Sequence, residues 1–333
     1  MAARPMSERE LVNALQEFAK PDWRRSLVEI ALTVVPLALL WVGAWWALSV
    51  SWWLTLLLAV PTAGLLVRLF LIQHDCGHGA FFENRHVNDW IGRVVGVFTL
   101  TPYDVWRRAH ALHHASSGNL DRRGIGDLDT LTITEYRALS WLHKLRYRLY
   151  RNPIVMFGLG PAWLFLLGHR VPTGPLRKYW DAWLSAMATN VAIAIFAGVM
   201  MWFIGIPAFL MVHLPIVVMA ASIGVWLFYV QHQFEETYWA AAPAWSVKHA
   251  ALHGSSHYDL PQPIRWFSAN IGIHHVHHLT SRIPYYRLPD VLATYPELAG
   301  IGRITLMESF RTVRLKLWDE DRRRLVSFRE ARV

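Results

Sequence analysis

Residues 30–48 are almost continuously apolar, and after a short uncharged joint a second such run covers about 52–72. A second pair occupies about 183–204 and 208–230, joined around Gly205 and Pro207. At 1.5 Å per helical residue each run can cross a hydrocarbon slab of about 30 Å, so the pattern predicts four spanning helices in two hairpins. Arg68, near the end of the second run, is expected to snorkel towards the headgroups. Two shorter apolar stretches, 91–100 and 154–168, are interrupted by Arg93 and by Gly158, Gly160 and Pro161. They fall below spanning length and are expected to lie in the interface. No repeat or low-complexity linker breaks the pattern, and the chain reads as a single domain over residues 1–333.

Composition agrees with a bilayer protein. The chain is 54% apolar before its 20 glycines are added and only 17% charged, against roughly 45–50% and about 25% in soluble proteins. A disordered or collagen-like chain is excluded. Eighteen tryptophans fit aromatic belts at two lipid–water interfaces. A single cysteine excludes an internal disulfide and a two-cysteine zinc ribbon. The net charge of +9 would suit nucleic acid in a soluble protein, but here its placement decides its meaning. Arg4, Arg9, Lys20, Arg24 and Arg25 precede the first run, the two hairpin joints carry no basic residue, and segments 73–182 and 231–333 are rich in Arg and Lys. Both termini and both large segments are therefore expected in the cytoplasm, with no nucleic-acid partner. The first 28 residues lack the apolar core of a cleavable signal. The expectation is a multi-pass protein of the cell inner membrane with nothing removed.

Against this background three histidine clusters stand out: His74 and His78, then His110, His113 and His114, then His274, His277 and His278. On a helix, positions four apart differ by about 40°, so each cluster can present convergent imidazoles. His232 falls just beyond the fourth run and completes a set of nine, more than one ion uses, which points to two. Nitrogen donors of this kind suit iron, copper, zinc or nickel, and spacing does not choose among them. His275 turns about 100° from His274 and stays out of the set. Cys76 points away from the ligand side and reads as packing. His86, His143, His169 and His213 read as isolated. His249, His253 and His257 recur every four residues, but they run into a Gly-Ser-Ser stretch where a helix is not expected. The resulting fold class is an all-α integral membrane protein whose cytoplasmic helical cap carries a histidine-rich dimetal site.

These residues resemble the membrane fatty-acid desaturases, specifically the acyl-lipid omega-6 (delta-12) type. The resemblance rests on His74-Asp-Cys-Gly-His78, on Pro102-Tyr103 leading to His110-Ala-Leu-His113-His114, on Gln231-His232-Gln233, on Asn270-Ile-Gly-Ile-His274-His275-Val-His277-His278, and on Leu317-Trp-Asp-Glu, so it covers about residues 70–320. It implies two iron ions held by His74, His78, His110, His113, His114, His232, His274, His277 and His278. It also implies O2 as co-substrate and removal of two hydrogens from an unactivated acyl chain of a membrane lipid. His253 and His257 depart from the family pattern. Asp75, beside two of these histidines, is a candidate for orienting an imidazole through its other N–H. Asn270, one turn before His274, would hold a metal-bound water or cap a helix. Trp106 is a positional candidate for the wall of an acyl tunnel.

No Gly-x-Gly-x-x-Gly loop and no His-Pro-Gly-Gly haem motif is present, so electrons are expected from a ferredoxin or cytochrome b5-type donor with its reductase. The tail from Glu308 to Val333 carries eight basic and five acidic residues, with Arg322, Arg323 and Arg324 consecutive. It is a candidate for docking such a donor, the other reading being an amphipathic segment on anionic lipid. A hydroxylase, epoxygenase or carotenoid oxygenase would share the histidine scaffold. A metal transporter or sensor is opposed by spans with almost no polar residue to form a path.

Overall fold

The computed structural model describes residues 6–124 and 126–333; Arg4, one of the basic residues ahead of the first apolar run, lies outside them. Four helices are long and apolar enough to cross a membrane: Trp23–Ala47, Trp52–His78, Trp180–Ile204 and Ile206–His232. The first starts well ahead of its apolar run because Asp22 caps it, accepting from the backbone N–H of Arg24 at 2.8 Å and of Arg25 at 3.2 Å. The second continues through His74 and Asp75 to His78, where Gly79 at φ 66° stops it in the left-handed region. A propagating helix needs no apolar side chains to add one more backbone bond. The expected ends near 72 and 230 therefore move to 78 and 232, and His74, His78 and His232 stand on rigid helix termini rather than beyond them.

The described chain falls into two compact units, each discontinuous in sequence. One comprises Asp22–Arg108 and Pro153–Trp226. Inside it the first two spanning helices pack side by side, and the second also packs on the amphipathic helix Arg85–Phe98, which meets Trp180–Ile204. Gly205, at φ 84°, is the one-residue break of the second hairpin. Trp46 and Trp53 are exposed at one hairpin tip and Trp202 at the other, while Trp23 and Trp180 are exposed at the opposite helix ends. That is the distribution two aromatic belts require. Of the shorter apolar stretches, the first lies in Arg85–Phe98 and the second forms a π turn, Val155–Leu159, followed by the helix Gly160–Leu166.

Arg68 does not snorkel. Its side chain is buried and bonded to the buried Glu29 of the neighbouring helix, which also pairs with Arg25 at 2.7 Å. A carboxylate within reach inside the bundle offers the guanidinium a partner that the headgroups would otherwise supply.

The second unit gathers the segment up to Pro21, Ala109–Asn152 and Leu227–Val333. Its helices are short, and the described residues add five strands of two or three residues each. Leu131–Thr132 pairs in parallel with Leu317–Asp319, which pairs antiparallel with Arg324–Val326, while His257–Asp259 pairs in parallel with Arg303–Thr305. Within the basic tail, residues 317–326 form a β-hairpin that follows the short helix Leu306–Thr312. Fully buried Arg151 ties three parts of this unit together, donating to the Gln233 side chain at 2.7 Å and to the carbonyls of Leu315 at 3.0 Å and Asp129 at 3.2 Å. The Val247–His253 helix carries His249 and His253 up to Gly254, contrary to the expectation of irregular chain, and His257 lies on a strand.

Candidate metal centre

The helix Tyr103–Ser116 carries His110, His113 and His114, the helix His274–Leu279 carries His274, His277 and His278, and His232 ends its own helix. Each triplet divides. His113, His232, His274 and His278 bring one ring nitrogen each to within 4.8 Å of one another, and His110, His114 and His277 meet the same criterion in a second group. Positions four apart share a group because they differ by about 40°; the third residue lies about 60° to the other side and faces the neighbouring group. The single ligand face expected for each triplet is therefore two faces. Where the groups adjoin, His114 and His278 stack at 4.0 Å between ring centroids, 13° apart.

Hydrogen bonding fixes which nitrogen faces inward. The Nδ1 of His113 lies 2.5 Å from a carboxylate oxygen of Asp127, and the Nδ1 of His232 lies 3.2 Å from the Gly254 carbonyl. Both partners only accept, so each Nδ1 carries a proton, and in the neutral ring it is the Nε2 that presents its lone pair. Yet these two Nε2 atoms stand 3.2 Å apart, and the Nε2 of His274 stands 3.1 Å from that of His232. Two facing lone pairs repel, whereas a cation between them satisfies both. Burial, then the neighbouring imidazoles of His114, His274, His232 and His113, push His278 well below the ordinary histidine range, which keeps it neutral and able to ligate. Its Nε2 is buried without a hydrogen-bond partner among the described residues. The second group repeats the pattern, with Nε2 to Nε2 distances of 3.1 Å for His110–His114 and 3.2 Å for His114–His277. Convergent, all-nitrogen donor sets of this kind fit a transition metal.

In the other unit the rings of His74 and His78 lie 4.7 Å apart, as one helical turn dictates. Asp75 reaches the Nδ1 of His74 at 3.0 Å, and Trp106 lies 5.8 Å from the His74 ring and against Gly77. Asn270 takes a left-handed conformation at φ 55°, accepts from Arg265 at 3.2 Å and donates to the Tyr285 carbonyl at 3.3 Å. The helix His274–Leu279 has Ile273 at its N-cap position and no side-chain cap. His275 points elsewhere, its Nε2 meeting the Leu298 carbonyl at 3.0 Å, and burial pushes it down to about 3. Cys76 is buried.

Sequence reading missed Asp127 and the Gly254 carbonyl. Asp127 is placed by Gly126, whose φ of 72° excludes most side chains; a Cβ there would meet the Ala109 carbonyl oxygen at 2.9 Å and the Cβ of His113 at 3.2 Å. A glycine before an aspartate was visible, but nothing in its spacing tied it to His113.

Helices long and apolar enough to cross a membrane, together with histidine groups able to hold a metal, are the marks of the membrane metalloproteins. The fatty acid desaturase family model matches residues 50–308, and the chain belongs to that family. It is 44% identical over 322 residues to a fatty acid desaturase of Bacillus subtilis, covering 97% of this chain and 91% of the relative. It is 29% identical over 300 residues to the sn-1 acyl-lipid omega-3 desaturase (ferredoxin) of Synechocystis, covering 85% and 79%. The sn-1 oleoyl-lipid 12-desaturase of the same organism is 24% identical over 302 residues, covering 86% and 81%. The protein is accordingly an oxidoreductase of lipid metabolism.

Proposed function

We propose that the protein introduces a double bond into a fatty acyl chain of a membrane glycerolipid, at the delta-12 position, using two iron ions, O2 and electrons from a separate ferredoxin or cytochrome b5-type donor. The observation that carries this reading is the convergence of buried and half-buried imidazole nitrogens in two adjoining groups. In this reading His74 and His78 are metal ligands as well, supported by their helical spacing and by the carboxylate on His74. The site and both termini face the cytoplasm, a placement supported by the basic residues flanking the apolar runs.

No side chain is basic enough to take a proton from an unactivated methylene, and bound iron would supply the oxidising chemistry that this bond requires. The chain's own residues prepare the site for it. Asp127 and the Gly254 carbonyl hold the Nδ1 protons of His113 and His232, so both Nε2 atoms face inward without reorganisation; Asp75 does the same for His74. Trp106 and Phe70, with ring centroids 5.2 Å apart, form an apolar wall beside His74 that keeps water from its ring.

The test is lipid analysis of a host expressing the wild type or His113→Ala, with iron counted per purified chain. Wild type should hold about two irons and yield a new delta-12 double bond without inserted oxygen, and the variant should yield none. A double bond elsewhere refutes the position alone, inserted oxygen refutes desaturation, and absence of bound iron refutes the mechanism.

A further inference from the structure

Each double bond formed this way needs two electrons from outside the chain, and the unit that holds His113 and His232 carries a surface and a buried path suited to receiving them. We propose that the helices Ile133–Ala138 and Trp141–Tyr150, together with the C-terminal hairpin, form a docking face for a small acidic one-electron carrier. Trp318 and Trp239 lead its electrons inward to the His113 group. The inference rests on the iron-dependent reading above and adds the place and route of reduction.

The face is composite. Strand Leu131–Thr132 pairs with Leu317–Asp319, and Ile133, Tyr136 and Tyr147 share a buried core with Leu317 and Val326. Arg137 and Arg148 donate to the carbonyls of Ala331 at 3.0 Å and Val333 at 2.9 Å, stitching tail to helices. Residues 133–150 and 317–333 together hold nine basic and five acidic side chains. Three of those acids serve local structure: Glu135 and Glu330 accept from backbone and hydroxyl groups at turn starts, and Asp319 accepts from the N–H groups of Asp321 and Arg322. Arg146, Arg322, Arg323 and Arg329 remain exposed. Glu320 and Asp321 are exposed beside them, so the face is net positive rather than of one sign, and a net positive face speeds encounter with an acidic partner and makes it salt-sensitive.

Beneath this face two buried indoles lie between the hairpin and the His113 group. Trp318, on the hairpin, and Trp239 are buried in one cluster with Leu325. Trp239 also lines a small cavity with Asp127 and His232, and Asp127 bonds the ring of His113. The indole N–H of Trp239 has no hydrogen-bond partner among the described residues, although a buried indole usually finds one. In each turnover two carriers are oxidised by one electron each. Those two electrons, two solvent protons and two hydrogens from adjacent acyl methylenes reduce O2 to two waters, while two C–H bonds break and the C=C bond forms.

The full chain in nanodiscs, with a plant-type ferredoxin as probe, tests both parts. Binding is followed without turnover, and reduction is followed by stopped flow against dithionite, a small reductant that needs no docking. Arg322→Glu with Arg323→Glu should weaken ferredoxin binding at least tenfold and flatten its salt dependence, leaving iron content and dithionite reduction unchanged. Trp318→Phe and Trp239→Leu should slow reduction at saturating ferredoxin at least fivefold with unchanged Kd. Unchanged binding in the charge variant overturns the docking face and leaves it to anionic lipid. An unchanged limiting rate in both tryptophan variants overturns the route. Wild type that binds no iron overturns the proposed function instead.

Discussion

Asp127 offers the sharpest perturbation of the site. Its carboxylate meets the Nδ1 of His113 at 2.5 Å, with the His113 side chain fully buried and that of Asp127 nearly so. Removing it in Asp127→Ala leaves a buried N–H without its acceptor and lets the imidazole take the other tautomer, which would point a proton, not a lone pair, at His232. Loss of such an outer partner costs about 10–100-fold in metal affinity, or about 1.4–2.8 kcal/mol at 1.4 kcal/mol per tenfold. Asp127→Asn keeps an accepting oxygen and loses only charge assistance, so it should fall at the lower end, about tenfold. Competition for metal against a fluorescent chelator measures both, and melting of the metal-free protein separates folding from binding. Exposed Asp321→Asn, on the hairpin, is the control and should leave affinity unchanged. Wild-type affinity in Asp127→Ala would falsify the tautomer assignment on which the centre is built.

Three further outcomes follow from particular contacts. Glu29→Gln takes the carboxylate charge from the buried Arg68 guanidinium and should cost up to about 3–5 kcal/mol; Glu29→Gln with Arg68→Met should recover much of it in detergent melting, and strict additivity would argue against the pair. Gly77→Ala should destabilise by about 1–3 kcal/mol, because the new Cβ would meet the Trp106 ring at 2.9 Å. That clash outweighs the gain of about 1 kcal/mol that alanine normally brings to a helix interior, so a raised melting temperature would contradict it. His257 is held below its ordinary value of 6.5, chiefly by burial. Below pH 6.5 the unfolded chain therefore takes up the proton first, and stability present above that pH is lost as pH falls towards the lowered folded value. His257→Gln should flatten this part of the pH–stability curve, and an unchanged slope would reject the assignment.

Four spanning helices, two hairpins and the histidine clusters were legible in the sequence because they depend on local quantities: apolar run length and helical angle. The same local rule could not say that each triplet divides, since His113 and His277 find their groups only when a second helix lies opposite. Arg68 looked like a snorkelling residue because its partner Glu29 lies 39 positions away along the chain. Asp127 and the Gly254 carbonyl were invisible for a related reason. A hydrogen bond fixes a tautomer through contact in space, and a glycine-flanked aspartate or a backbone carbonyl gives no periodic signal of where it will dock. Sequence thus determined which donors are available and on which rigid helices they ride. Only the packed chain decided how they are shared between two groups and which nitrogen of each ring faces inward, because that depends on partners brought together from distant segments.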